Sequence, residues 1–250
     1  MAEKLTVKKE SPEKYQKIID SAIKVFSKKG FFNAKVADVA KQADVADGTI
    51  YLYFKNKDDL LISIFEDSMD FFLSEANAKL TPLSDPKEKL RQFIKLHLDL
   101  VSKNQKLASV LQIELRSSHK FMKKYKAEKF FQYLRLVEDL ITEGQQKGFY
   151  KKALDPHIIS RSLFGAIDEL ALEWVLTKNK RYPIELAANQ LFEIFFEGIR
   201  QESNRCFEGV AKNQDTWKNV APWFFAVQKN SKRLIFLNGL KNSDSTPLLR

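Results

Sequence analysis

Residues 36–61 read Val36-Ala-Asp-Val-Ala-Lys-Gln-Ala-Asp-Val-Ala-Asp-Gly-Thr-Ile-Tyr-Leu-Tyr-Phe-Lys-Asn-Lys-Asp-Asp-Leu-Leu61, and their spacing predicts two short helices around a tight turn, with a third helix beginning at Lys57. In the first, Val36, Val39, Ala40 and Ala43 recur at helical spacing and face a core, while Asp38, Lys41 and Gln42 point outward. The turn is Asp44-Val45-Ala46. Val45 plugs the angle between the helices, and Asp44 takes a left-handed conformation, which Asp tolerates better than most residues. Asp47 is expected to cap the second helix, which turns Gly48, Thr49, Tyr51 and Tyr53 outward and buries Ile50 and Phe54. The motif is a helix-turn-helix, and small and polar residues at the start of its exposed helix suit entry into a DNA major groove. In that geometry Gly48 and Thr49 meet bases. Tyr51, Tyr53 and Lys57 hold phosphates, with the N-terminus of the helix opened by Lys57 adding positive charge, and Asp47, Lys35 and Lys55 complete the candidate set. For the lysines the plainer reading is surface solubility.

This segment resembles the DNA-binding domain of the TetR family of bacterial one-component regulators. The resemblance extends upstream through Ile18-Ile-Asp-Ser-Ala-Ile-Lys-Val-Phe-Ser-Lys-Lys-Gly-Phe31, which is similar to that family's first helix and its Gly-aromatic stop, and covers about the first quarter of the chain. Two departures stand out. The family usually has Gly where Asp44 stands, and usually a Ser or Thr near Ala34 that caps the second helix and touches phosphate.

Composition narrows the remainder. A chain of 250 residues with 44% apolar content and only 8 Gly and 7 Pro allows a substantial, mostly helical core. The net charge of +10 favours a polyanionic partner. Residues 1–60 carry only a modest positive excess, and about half of the surplus lies after residue 202. The single Cys206 excludes an internal disulfide framework and a multi-cysteine zinc site and fits a reducing cytosol, so a cytoplasmic location is expected. The charged N-terminus is unlike a signal peptide, and no stretch is apolar for long enough to cross a bilayer.

After the helix-turn-helix the sequence is a succession of helical patterns: Lys57 to about Leu80, Lys87 to about Val101 after the break at Thr81-Pro-Leu-Ser-Asp-Pro86, Gln105 through Ser117, Phe121 to Gln146, Asp155-Pro156 to about Thr177, and Tyr182-Pro183 to near Arg200. No period-2 strand pattern competes. The expected class is all-α: a three-helix head with its N-terminal arm over 1–56, a ligand-binding and dimerisation body of about six helices over 57–202, and an extension over 203–250. That extension holds Trp217, Trp223, Phe224 and Phe225 among basic residues; it reads as a disordered extension, a short accessory helix packed on the body or a segment with no selected role, ahead of a contact with membrane or nucleic acid.

On the last two helices Leu163, Phe164, Ile167, Leu170, Ala171, Trp174 and Val175, with Ala187, Leu191, Ile194, Phe195 and Ile199, are more apolar than peripheral helices need. Singly each reads as monomer core; together they read as a homodimer surface, which would set two recognition helices about 34 Å apart on a palindromic operator. The 20 Phe residues, with doublets at Phe71-Phe72, Phe130-Phe131 and Phe195-Phe196, suit either a packed core or an apolar ligand tunnel.

A narrower resemblance bears on the ligand. The run Asp47–Phe65, with Gln112-Ile-Glu-Leu-Arg116, Ile141-Thr-Glu-Gly-Gln145, Phe164-Gly-Ala-Ile-Asp-Glu169 and Trp174-Val175, is similar to the FadR-type fatty-acid-degradation repressors within TetR over most of residues 13–202. The resemblance implies a repressor of lipid-catabolism genes that leaves DNA when a long-chain acyl-CoA binds. Such a ligand needs an apolar tunnel and a cationic mouth. Leu111, Leu115, Phe164, Gly165, Ile167, Asp168 and Trp174 are the tunnel candidates, and Arg116, followed by Lys120, Lys123, Lys124 and Lys126, is the candidate for the mouth. The nearest alternative is a TetR-type regulator of drug efflux or another pathway, with the same head and a different pocket. An enzyme is not expected: His97, His119 and His157 are scattered, and no Gly-rich phosphate loop, metal-ligand spacing or Gly-x-Ser-x-Gly elbow appears, so neither metal nor cofactor is implied.

Overall fold

The computed structural model describes residues 11–115, 125 and 127–201. Nine α-helices follow one another among the described residues, with no strand; one isolated bridge joins Tyr150 to Arg200. Helix α1 (Pro12–Lys29) starts where Ser11 accepts a hydrogen bond from the Lys14 amide and Pro12 supplies a preset φ, and stops at Gly30, whose φ of 77° an L side chain rarely adopts. Helix α2 (Val36–Ala43) ends at Asp44, with φ 53° and ψ 54°, the left-handed turn expected from sequence. Helix α3 (Asp47–Tyr53) follows. Helix α4 (Lys57–Leu80) begins at Asn56, whose side chain accepts from the Asp59 amide at 2.9 Å.

Helix α5 (Pro86–Lys103) is capped by Asp85, and α6 (Gln105–Ser109) by Asn104. Continuous with α6 is a π-helical turn, Val110–Glu114, in which the Leu115 amide bonds back to the Val110 carbonyl. The regular helix expected from Gln105 through Ser117 is therefore corrected. The chain is wound wider here by one residue per turn, a geometry that periodicity does not announce. Helices α7 (Glu128–Gln146), α8 (Pro156–Leu176) and α9 (Ile184–Ile199) complete the fold. The expected helix start at Phe121 lies outside the described residues, as do Arg116, Lys120, Lys123, Lys124, Lys126, Cys206 and the extension after residue 202.

Two apolar cores form. One gathers Ile18, Phe26, Phe31, Val39, Ile50, Phe54 and Leu61 from α1–α4, together with Val110 and Leu115. The other gathers Phe72, Phe93, Leu98, Tyr133, Ile141, Leu163, Ile167 and Phe192. Helix α4 contributes Leu60 to Phe65 to the first and Phe72, Ala76 and Leu80 to the second, so one rod of roughly 36 Å runs through both. Helix α8 packs on α7 and α9 on α5, while α1 rests on α6 and the π-turn. The Phe doublets divide between core and surface: Phe72 is buried and Phe71 is 55% exposed, and Phe130 packs inward while Phe131 is 46% exposed.

The dimer-surface expectation is corrected in part. Leu163, Ile167 and Ala171 of α8 and Ala187, Leu191 and Ile199 of α9 are buried within the chain itself. Ile158, Leu176, Leu186 and Ile194 are the apolar side chains these helices turn to solvent, Ile194 at 69%.

Candidate functional site

The outer face of α3 begins with Gly48, around which a Cβ would meet nothing within 4 Å, followed by half-buried Thr49 and exposed Tyr51. An open backbone at a helix start allows close approach of another chain. Ile50 and Phe54 are buried as the spacing required. Asp47 is not the cap: Ala46 occupies that position without a side-chain hydrogen bond, so Asp47 is the first helical residue, exposed in the first turn. Tyr53 turns partly inward, its ring 6.3 Å from those of Tyr15 and Phe54, whereas Tyr51 is 57% exposed.

Lys57 also departs from the expected phosphate contact. Its ammonium donates to the carbonyls of Phe31 at 2.6 Å, Ala34 at 2.9 Å and Phe32 at 3.2 Å, and lies 4.5 Å from the centre of the Phe31 ring. An ammonium has three donors, and all three are engaged here. Lys57 thus pins the loop between α1 and α2 to the start of α4. Lys35 and Lys55 are exposed, and their backbone amides donate to Asp38 and Asp59, each at 2.9 Å. Asp38 also pairs with Lys29 at 2.6 Å, and that partner holds its carboxyl below the usual range. The cap that a Ser or Thr near Ala34 would supply is replaced by Asp38 reaching back to the start of α2.

In the body, a cavity of about 350 Å³ lies between α1, α4, α5, α6 and the π-turn, a size within the range of small-molecule sites. Ile19 and Ile23 of α1, Met69 and Phe72 of α4, Leu100 of α5 and Leu107 and Leu111 of the α6 region form its apolar walls, and Asp20 and Asp67 add acidic groups. Of the tunnel candidates only Leu111 lines it. Leu115 is buried in the core beside α1–α4 and does not line this cavity. Ile167 is completely buried, and the Phe164 ring packs 4.8 Å from Phe130 and 5.8 Å from Tyr133. Gly165 is exposed, with nothing within 4 Å of a built Cβ, so it makes no close backbone contact among the described residues.

The cavity's inner wall includes His97, a residue the sequence reading left aside. Its Nδ1 lies 3.1 Å from the Tyr133 hydroxyl, and its ring lies 5.4 Å from that of Phe72. Desolvation pushes its pKa down to about 4, against the opposing charge of Asp168, so the imidazole is neutral at pH 7. Asp168 therefore stands by the His97–Tyr133 pair. Trp174 packs beside Tyr182, with ring centres 6.3 Å apart, and its buried Nε1–H has no acceptor among the described residues. Nothing in the periodicity marks His97, because a His on an apolar helix face reads as ordinary core.

A family profile described as "Bacterial regulatory proteins, tetR family" matches residues 18–64, and one described as "YsiA-like protein, C-terminal region" matches 65–198. The chain is 38% identical over 194 residues to the fatty acid metabolism regulator protein of Bacillus subtilis strain 168, a match spanning 78% of this chain and all of that protein. Among solved structures, the fatty acid degradation regulator FadR of Bacillus halodurans superposes with a TM-score of 0.71 at 36% identity, covering 76% of this chain and 98% of that one. FadR of Bacillus subtilis in complex with stearoyl-CoA superposes with a TM-score of 0.69 at 38% identity, covering 74% and 99%. The helix-turn-helix at α2–α3, the long α4 shared by both cores and these matches agree: the chain belongs to the TetR family of bacterial regulatory proteins.

Proposed function

We propose that this protein is a DNA-binding transcriptional repressor of fatty-acid degradation genes that a long-chain acyl-CoA releases from operator DNA. The observation that carries the reading is the similarity along the entire length of the Bacillus subtilis fatty acid metabolism regulator, which takes in both the reading head and the body. On this reading residues 1–56 form the head, and 57–202 bind the effector and a second copy of the chain. Gly48 and Thr49 approach bases, while Tyr51, Lys35 and Lys55 meet phosphates. Exposed Ile158, Leu176, Leu186 and Ile194 supply the apolar part of a homodimer surface on α8 and α9. The protein acts in the cytoplasm and returns its effector chemically unchanged.

The test is a gel shift on the protein's own promoter region with palmitoyl-CoA, free palmitate and CoA. Release by palmitoyl-CoA alone supports the reading, and retention of DNA under all three removes it. A second reading, a regulator of efflux or another pathway, draws on the acidic groups of the cavity: among the described residues Asp20 and Asp67 line it and no Lys or Arg does, which suits a neutral or cationic apolar ligand. Release by a lipophilic cation and not by palmitoyl-CoA decides for that alternative.

A further inference from the structure

A second recess lies on the other side of the seam where α1 meets α6. It is an open cleft of about 470 Å³ lined by Lys24, Ser27 and Lys28 of α1, Gln42 of α2, Lys106 and Ser109 of α6, and others. Its chemistry is the reverse of the apolar cavity's: the described residues bring three ammonium groups, two hydroxyls and no carboxylate. None of the three lysines has an ion-pair partner among the described residues, whereas nearby Lys29 is paired with Asp38. Three like charges around one recess repel each other, and a multivalent anion relieves that repulsion.

The two recesses share their walls. Along α1, Ile19 and Ile23 face the apolar cavity and Lys24 and Lys28 the cleft; along α6, Leu107 and Ala108 face the cavity and Lys106 and Ser109 the cleft. We propose that the Lys24–Lys28–Lys106 cleft binds the phosphates of the acyl-CoA effector, with the acyl chain in the adjacent apolar cavity and the thioester arm crossing the α1–α6 seam. The inference rests on the acyl-CoA reading above and assigns the cationic end of the site to residues that the sequence did not single out. It also resolves the acidity of the apolar cavity, since the phosphates lie outside it. Lys24, Lys28 and Gln42 belong to helices of the head and Lys106 to the body, so an anion in the cleft holds one against the other.

The test compares palmitoyl-CoA with S-palmitoyl-pantetheine, the same thioester without phosphates, binding to the full chain in the absence of DNA. In Lys24→Gln/Lys28→Gln/Lys106→Gln, affinity for palmitoyl-CoA is expected to fall roughly ten- to a hundredfold and to lose most of its salt dependence, while affinity for the pantetheine thioester stays unchanged. Lys106→Glu alone, at an exposed position of α6, is expected to show the same selective loss. Circular dichroism and the unchanged pantetheine affinity verify the fold. Wild-type affinity for palmitoyl-CoA in the triple variant overturns the cleft while leaving the proposed function standing. Failure of the wild type to bind palmitoyl-CoA removes both.

Discussion

The Glu114 carboxylate accepts a hydrogen bond from the backbone N–H of Phe31 at 2.6 Å across 83 positions of sequence, tying the π-turn to the loop between α1 and α2. The same π-turn carries Leu111 in the apolar cavity, and Val110 within it and Leu115 immediately after it are buried in the head-side core. The loop is held from its other side by Lys57. Any rewinding of the π-turn toward regular α-helix rotates Glu114 about the helix axis and breaks this contact.

Glu114→Ala is expected to weaken operator binding in the absence of effector and to destabilise the chain by about 1.5–3 kcal/mol, the usual contribution of a hydrogen bond to a charged group. Glu114→Gln, which keeps an acceptor, should retain most of both. Exchange of the Phe31 amide with deuterium, faster in the Ala variant alone, checks the cause. Equal exchange in all three proteins contradicts it.

Lys57 separates a structural role from a DNA contact. Lys57→Met leaves three carbonyls without their donor, and a loss of about 1–3 kcal/mol is expected in urea unfolding. Lys55→Met, at an exposed position, should leave stability within about 0.5 kcal/mol and lower operator affinity together with its salt slope.

Gly144 of α7 lies under the ring of Tyr150: a Cβ built there falls 2.1 Å from Tyr150 Cδ2. Tyr150 has nowhere to retreat, being buried with its hydroxyl donating to the Pro86 carbonyl at 2.7 Å. Gly144→Ala is expected to cost about 1–3 kcal/mol by overpacking, read as a lowered urea midpoint. An unchanged midpoint contradicts the close packing.

His97 gives a pH dependence of definite sign. Its pKa is depressed to about 4 in the folded chain and is about 6.5 when unfolded, so the unfolded chain takes up the proton first as pH falls. Its contribution is fully present above about pH 6.5, declines below it and levels off near pH 4, and amounts to roughly 3 kcal/mol at most. The difference in unfolding free energy between wild type and His97→Gln, followed from pH 7 to 4, should shrink over that window. A difference independent of pH contradicts the neutral buried imidazole.

The head was almost fully legible in the sequence because its devices are local. Asp44 in a left-handed turn, Ile50 and Phe54 at core spacing and a helix opening at Lys57 each follow from a few neighbouring residues. The cap at Asp47 was misplaced by one residue, since Ala46 already has the extended backbone that precedes a helix. What stayed hidden depends on contacts between distant segments. The Glu-Gly pair within Ile141–Gln145 looks like any helix surface until Tyr150 folds over Gly144, and Lys57 looks like a DNA contact until the carbonyls of Phe31, Phe32 and Ala34 surround it. Ligand candidates chosen by apolar spacing on α8 turned out to include core residues such as Ile167, because burial and pocket lining use the same side chains.

The most direct test of the central claim is a pair of titrations: operator affinity with and without saturating palmitoyl-CoA, and palmitoyl-CoA affinity with and without operator. Linkage requires the two ratios to be equal, and a functional switch places them at about 5- to 150-fold, each ligand weakening the other. Ratios of one in both directions, with each ligand binding well alone, contradict the account.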